Sequence, residues 1–102
     1  MDLFSVVAEP NRRALLAALR DGDRSVGALV DELSLSQPMV SKHLGVLRAH
    51  RFVESRPRAQ QRLYRLRPDR FHELDEWLEP YRAVWASRLD ALEARLDRME
   101  DE

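Results

Sequence analysis

Ser36-Gln37-Pro38-Met39-Val40-Ser41-Lys42-His43-Leu44-Gly45-Val46-Leu47 is the stretch on which the reading of this chain turns. Ser36 is a helix N-cap by residue type, because its hydroxyl can accept a free amide of the first turn. Pro38 falls inside that turn, where its missing N–H removes no bond. Val40, Leu44 and Leu47 then recur at intervals of four and three, which defines one buried stripe. Gln37, Ser41, Lys42, Gly45 and Arg48 fall on the flanks and the opposite side. The spacing predicts a helix over residues 36–50 whose outer face is polar, basic and sterically modest.

Towards the N-terminus, Ser34-Leu35-Ser36 is too short for anything but a tight helix–helix corner. Ahead of it, Leu29, Val30 and Leu33 mark a third helix that Ser25 can cap. Leu15, Leu16, Ala18 and Leu19 mark a second, opened by Pro10 and closed by Asp21-Gly22-Asp23. Leu3, Phe4 and Val7 share one face of a short first helix that ends near Glu9-Pro10.

Towards the C-terminus, Phe52–Arg56 and Arg62–Leu66 carry strand-forming residues with partial alternation. Pro57-Arg58-Ala59-Gln60-Gln61 between them reads as a polar hairpin loop without the glycine a tight turn favours. Helical spacing returns from Asp69 with Phe71, Leu74 and Leu78, and continues through Tyr81, Trp85, Leu89, Leu92, Leu96 and Met99. From Trp85 the intervals run 4, 3, 4, 3, the seam of a coiled coil. Pro80 predicts a kink or two abutting helices. Little of a 102-residue domain remains to cover such a seam, so a second copy of the same helix is its expected partner.

Length and composition fit this layout. A chain of 102 residues with 44% hydrophobic and 34% charged side chains reads as one soluble globular domain. The expected organisation is a core over 1–68 and a dimerisation helix region over 69–102. No apolar run approaches the roughly 18 residues of a membrane span, and no secretory signal opens the chain, so a cytoplasmic protein is expected. The absence of cysteine excludes disulfides, thiolate metal sites and thiol nucleophiles together. There is also no glycine-rich phosphate loop and no His with an evident nucleophile beside it, which argues against an enzyme.

The net charge of −1 conceals a segregation. Residues 36–67 hold Lys42, Arg48, Arg51, Arg56, Arg58, Arg62, Arg65 and Arg67 against Glu54 alone, a balance of +7 between flanks of −2 and −6. A single-sign field of this kind draws polyanions.

Helix, helix, tight turn, polar-faced helix and basic hairpin make the expected fold mainly α with a small β-hairpin, a winged helix-turn-helix. The major groove of DNA admits one α-helix, and a basic hairpin beside it can grip phosphates or enter the minor groove. At this point three segments resemble the ArsR-type (ArsR/SmtB) transcriptional repressors: Glu9-Pro10-Asn11-Arg12-Arg13-Ala14-Leu15-Leu16, Arg24-Ser25-Val26-Gly27-Ala28-Leu29, and the Ser36–Leu47 stretch. The resemblance runs from about residue 3 to residue 98. It implies a homodimer that represses its own or neighbouring genes, with double-stranded DNA and a second copy as partners.

The same resemblance gives positions to the expected contacts. Ser36, Gln37, Pro38, Ser41, Lys42 and Arg48 belong to the recognition helix, and Arg56, Arg58, Gln60, Gln61 and Arg62 to the wing. Leu3, Phe4, Val7, Tyr81, Trp85, Leu89, Leu92, Leu96 and Met99 belong to the dimer interface formed by the terminal helices. Metal-sensing relatives use cysteines, or carboxylate and His pairs on the final helix; here Val26 to Leu33 has no cysteine, and the last helix offers His72 with Glu73, Asp75 and Glu76 nearby but no second imidazole. Neither a metal nor any other cofactor is therefore expected, and whether a small molecule acts as effector stays open. Arg51 and Ala59 stand where relatives often carry glycine, so each either takes a positive φ or marks a different local turn. His43 borders the apolar side of its helix, where it either reaches a phosphate or packs at the edge. His50 reads as structural, and His72 as solvent-facing. Trp77, Tyr81 and Trp85 read as core and interface aromatics rather than a pocket lining. The competing function is a winged-helix protein–protein interaction module with a coiled-coil tail, which would not bind DNA specifically.

Overall fold

The computed structural model describes residues Met1 to Glu100; Asp101 and Glu102, the end of the expected dimerisation region, lie outside the described residues. The elements are α1 (Leu3–Ala8), α2 (Pro10–Leu19), β1 (Arg24–Ser25), α3 (Val26–Leu33), α4 (Gln37–Ala49), β2 (Val53–Arg58), β3 (Gln61–Leu66) and α5 (Pro68–Glu100). They fall into two units, Met1–His72 and the remainder of α5 from Glu73. The first unit is a winged helix.

Local chemistry sets the helix starts. Asp2 accepts the Ser5 amide at 2.7 Å, Glu9 the Arg12 amide at 2.8 Å, Ser25 the Ala28 amide at 3.1 Å and Ser36 the Met39 amide at 3.3 Å. The Ser5 amide holds the Asp2 carboxyl below its ordinary value. Pro10 and Pro38 sit in the first turns of α2 and α4, as expected.

The six-residue α1 depends on two arginines of α2 for its other end. Arg12 donates from Nε to the Val6 carbonyl at 2.7 Å and from Nη2 to Ser5 at 3.2 Å. Arg13 Nη1 donates to Val7 at 2.9 Å and Ala8 at 2.7 Å. These are the last four carbonyls of α1, the groups that have no partner inside a helix.

The core of this unit draws on every layer. Val6, Leu15, Leu29, Val40, Leu44, Leu47 and Phe52 are fully buried, with Val53, Leu16, Ala18 and Leu19 around them. The end of α4 is a Schellman motif: the Phe52 amide bonds the Leu47 carbonyl at 2.9 Å and the Arg51 amide bonds that of Arg48 at 3.1 Å. Arg51 takes φ +62° at the position where glycine is favoured, and the buried pair Leu47 and Phe52 completes the motif. Phe52 also meets Phe71 edge to face, with ring centroids 5.5 Å apart.

The hairpin is longer than expected. β2 and β3 pair antiparallel from Val53↔Leu66 to Arg58↔Gln61, so most of the expected loop is strand and only Ala59 and Gln60 turn. Pro57 is tolerated because β2 is an edge strand in the order β1-β3-β2. Ala59 takes φ +56° at the first central position of the turn. The two-residue β1, which sequence reading missed, pairs Arg24↔Tyr64 and Ser25↔Leu63. Ser34 ends α3 at φ +55°, a left-handed cap in the tight corner.

The second correction concerns Pro80. α5 is one helix through it, not two. Arg82 reaches back over the proline turn, donating to Asp75 Oδ1 at 2.7 Å and the Asp75 carbonyl at 3.1 Å, and it also pairs with Glu79. Glu79 first, then Asp75, holds the Arg82 guanidinium above its ordinary pKa.

An L side chain at left-handed φ costs roughly 1 kcal/mol. Arg51→Gly is therefore expected to raise stability by up to about 1 kcal/mol, measured by urea unfolding. A loss would mean that the Arg51 side chain contributes more than its backbone strain removes.

Candidate nucleic-acid interface

The inner edge of α4 decides which residues face out. Val40, Leu44 and Leu47 are fully buried, and His43 joins them at 8% exposure. Gln37, Pro38, Ser41, Lys42, Gly45 and Arg48 are all exposed. The expected recognition residues thus share the outer side of one helix. Ser36 is exposed as well, and its hydroxyl is engaged as the N-cap.

His43 resolves towards packing. Its Nε2 lies 3.8 Å from Glu9 Oε2, and its Nδ1 is buried without a hydrogen-bond partner among the described residues. The same Glu9 caps α2, so one carboxylate ties the α1–α2 junction to α4. Met39 is a surface residue that sequence reasoning passed over. It is 40% exposed in the first turn of α4, and Asn11 Nδ2 donates to its sulfur at 3.6 Å. Its place one residue before Val40, off the buried stripe, was the available signal.

The wing carries its charge unevenly. Arg56, Arg58, Gln60, Gln61 and Arg62 are all exposed on β2, the turn and β3. Arg58 makes no ion pair among the described residues, and Arg62 Nη1 donates to Ser55 Oγ at 3.2 Å. At the base, Arg56 Nη2 lies 3.3 Å from Asp23 Oδ2, while Arg65 lies 4.0 Å from the same oxygen and 3.4 Å from Glu54 Oε1. Sequence reasoning did not place Asp23 here, because it lies 33 residues from Arg56. Among the described residues no group of three or more His, Asp or Glu is arranged to hold a metal ion.

The residues expected at a dimer interface are described within each unit. In the first, Leu3 and Val7 are partly buried and Phe4 is 42% exposed. In the second, none of the described residues is buried, and Tyr81, Trp85, Leu89, Leu92, Leu96 and Met99 are 51–64% exposed. Trp77, read from the sequence as a core and interface aromatic, adds to that apolar surface, as do Leu78 and Val84, which were not among the expected contacts. Trp77 and Tyr81 stack at 4.9 Å, and Arg88 lies 6.0 Å over the Trp85 ring. Trp77, Tyr81 and Trp85, read from the sequence as core and interface aromatics, are thus not core but exposed in the single chain.

Comparison with known proteins agrees with this geometry. Residues 9–55, from the Glu9 cap through α4 into β2, match the model of the arsR family of bacterial regulatory proteins. An HTH-type transcriptional regulator of Mycobacterium tuberculosis is 40% identical over 65 residues, 64% of this chain and 61% of that protein. The biofilm growth-associated repressor of Agrobacterium fabrum is 41% identical over 76 residues, 74% and 65% of the two chains. The chain thus spans somewhat under two thirds of the length of these curated relatives. The crystal structure of the transcriptional repressor BigR from Xylella fastidiosa superposes with a TM-score of 0.64 at 34% identity, covering 78% of this chain and 81% of that one. The chain belongs to the ArsR family, a family of regulatory proteins and not of enzymes.

Proposed function

We propose that this protein is a sequence-specific DNA-binding transcriptional regulator, a homodimeric repressor that reads a pseudo-palindromic operator. The observation that carries the reading is the pairing of one polar, basic and exposed helix face with a wing whose tip bears Arg58, which forms no ion pair among the described residues. In this reading α4 enters the major groove. Gln37, Ser41 and Lys42 meet base edges and adjacent phosphates, Pro38 and the Ser36 cap shape the approaching turn, and Arg48 holds backbone. Arg58, Gln60, Gln61 and Arg62 grip the flanking backbone or minor groove, while Arg56, paired with Asp23 at the base of the wing, reaches the backbone only when that ion pair opens. Names such as repressor in the relatives support the direction of regulation.

Residues 1–68 serve as the DNA-binding core and 69–102 as the dimerisation region, and Leu3, Phe4 and Val7 as well as the α5 seam take part in the dimer. Two copies place half-sites about one or two helical turns apart, roughly 34 Å per turn. A regulator that binds operator DNA works in the cytoplasm on this reading; separately, among the described residues no helix is long and apolar enough to cross a membrane.

Fluorescence anisotropy at two salt concentrations, on DNA from the gene's own upstream region and on a shuffled duplex, tests this directly. Preference for the upstream duplex with a steep fall in salt is expected, since neutralised phosphates release counterions. Lys42→Ala and Gln37→Ala should each lower upstream affinity, with a loss of about 1–3 kcal/mol where a base contact is removed. No binding at low salt would favour a protein-interaction module instead.

The dimer is tested separately. Replacing both Leu89 and Leu92 with Asp places charge in the seam and should yield monomers in sedimentation. A persistent dimer would locate the interface elsewhere.

A further inference from the structure

Asp23 stands in the corner between α2 and β1, directly after Gly22. Gly22 takes φ +146°, a conformation L side chains rarely adopt, and a Cβ there would stand 3.2 Å from Arg24 Nη1. The turn delivers the Asp23 carboxylate to the base of the wing, 3.3 Å from Arg56 Nη2 on β2 and 4.0 Å from Arg65 Nε on β3. Glu54 takes the other side of Arg65 at 3.4 Å. Two acids and two arginines therefore balance at the base, whereas Arg58 and Arg62 farther out form no ion pair among the described residues.

Stability does not account for this arrangement. The Arg56 and Asp23 side chains are 55% and 34% exposed, and surface pairs of that kind contribute little to folding. Their effect on a polyanion is larger. Each guanidinium that reaches a phosphate adds one counterion to those released, so a carboxylate that occupies Arg56 removes one such contact.

We propose that Asp23 is a specificity-determining brake on the wing, holding Arg56 away from DNA phosphates. The inference rests on the DNA-binding reading above. On DNA of arbitrary sequence the protein takes whatever register satisfies most phosphates, so a released Arg56 finds one. On the operator the base contacts of α4 fix the register, and a released Arg56 gains less. Because specificity is a difference between two affinities, the acid raises discrimination by lowering the weaker of them more.

The experiment measures binding of the full chain to the upstream and shuffled duplexes across a salt series, for the wild type, Asp23→Asn, Asp23→Glu and Asp23→Asn combined with Arg56→Gln. Asp23→Asn should bind the shuffled duplex about three- to tenfold more tightly, steepen its salt slope by about one unit, and lower the upstream-to-shuffled ratio. Asp23→Glu should behave as the wild type, and Arg56→Gln should cancel the gain. Unchanged binding in Asp23→Asn, a loss on both duplexes, or a gain that survives Arg56→Gln would each overturn the brake while the selective wild type still upholds the DNA-binding reading. A wild type without salt-dependent DNA binding would overturn that reading and the brake with it.

Discussion

The fully buried positions of Val40, Leu44 and Leu47 are what the rest of the molecule is arranged around. Burying a side chain of that kind contributes roughly 1.5–3 kcal/mol, so three on one stripe fix the rotation of α4 about its own axis. A rotation by one residue would put leucine in water and Lys42 or Ser41 in the core. The face opposite the stripe is thereby held outward without any interaction of its own. Helices α1 to α3 and the first residues of the wing supply the walls: Val6, Leu15, Leu29 and Phe52 close around the stripe. A rigid element presenting a polar face is what recognition of a groove requires.

Helix ends extend that constraint to the wing. The Schellman turn after α4 buries Phe52 in the core and starts β2 at the next residue, so the register of the hairpin follows from where α4 stops. At the other end, Glu9 joins the cap of α2 to His43, and Arg12 and Arg13 close α1. The basic surface is thus carried by two elements that share one set of buried contacts, α4 and the hairpin. Its acids are as informative as its bases: Asp23 and Glu54 neutralise the base of the wing and leave its tip cationic.

Much of this was legible in the sequence because it is local. Ser25 and Ser36 announce their helices through a hydroxyl that reaches an amide three residues on, and the 4-and-3 spacing of Val40, Leu44 and Leu47 shows which side is buried. The outer face of α4 followed as its complement. What escaped depends on distance along the chain. Pro57 looks like a loop residue until β2 is known to lie at a sheet edge, and a two-residue β1 has no period to detect. The Arg12 and Arg13 side chains could not be matched to carbonyls of α1 before the α1–α2 angle existed, and Asp23 met Arg56 only through the fold. Pro80 carried a correct warning about backbone bonding, but Arg82 spans that turn with side-chain bonds that no propensity encodes. Arg51 and Ala59 were recognised as places for glycine, and the backbone adopts the glycine conformation regardless.

The placement of α4 against DNA is the central claim, and the cysteine-free chain offers a direct way to measure it. A Ser41→Cys variant provides a single thiol on the outer face of α4, to which an iron chelate that cuts nearby DNA can be attached. With the upstream duplex bound, cuts are expected in two short clusters, one per half-site and one or two helical turns apart. A labelled protein that still binds the duplex but leaves it evenly cut, or uncut, would mean that this helix face does not meet the DNA.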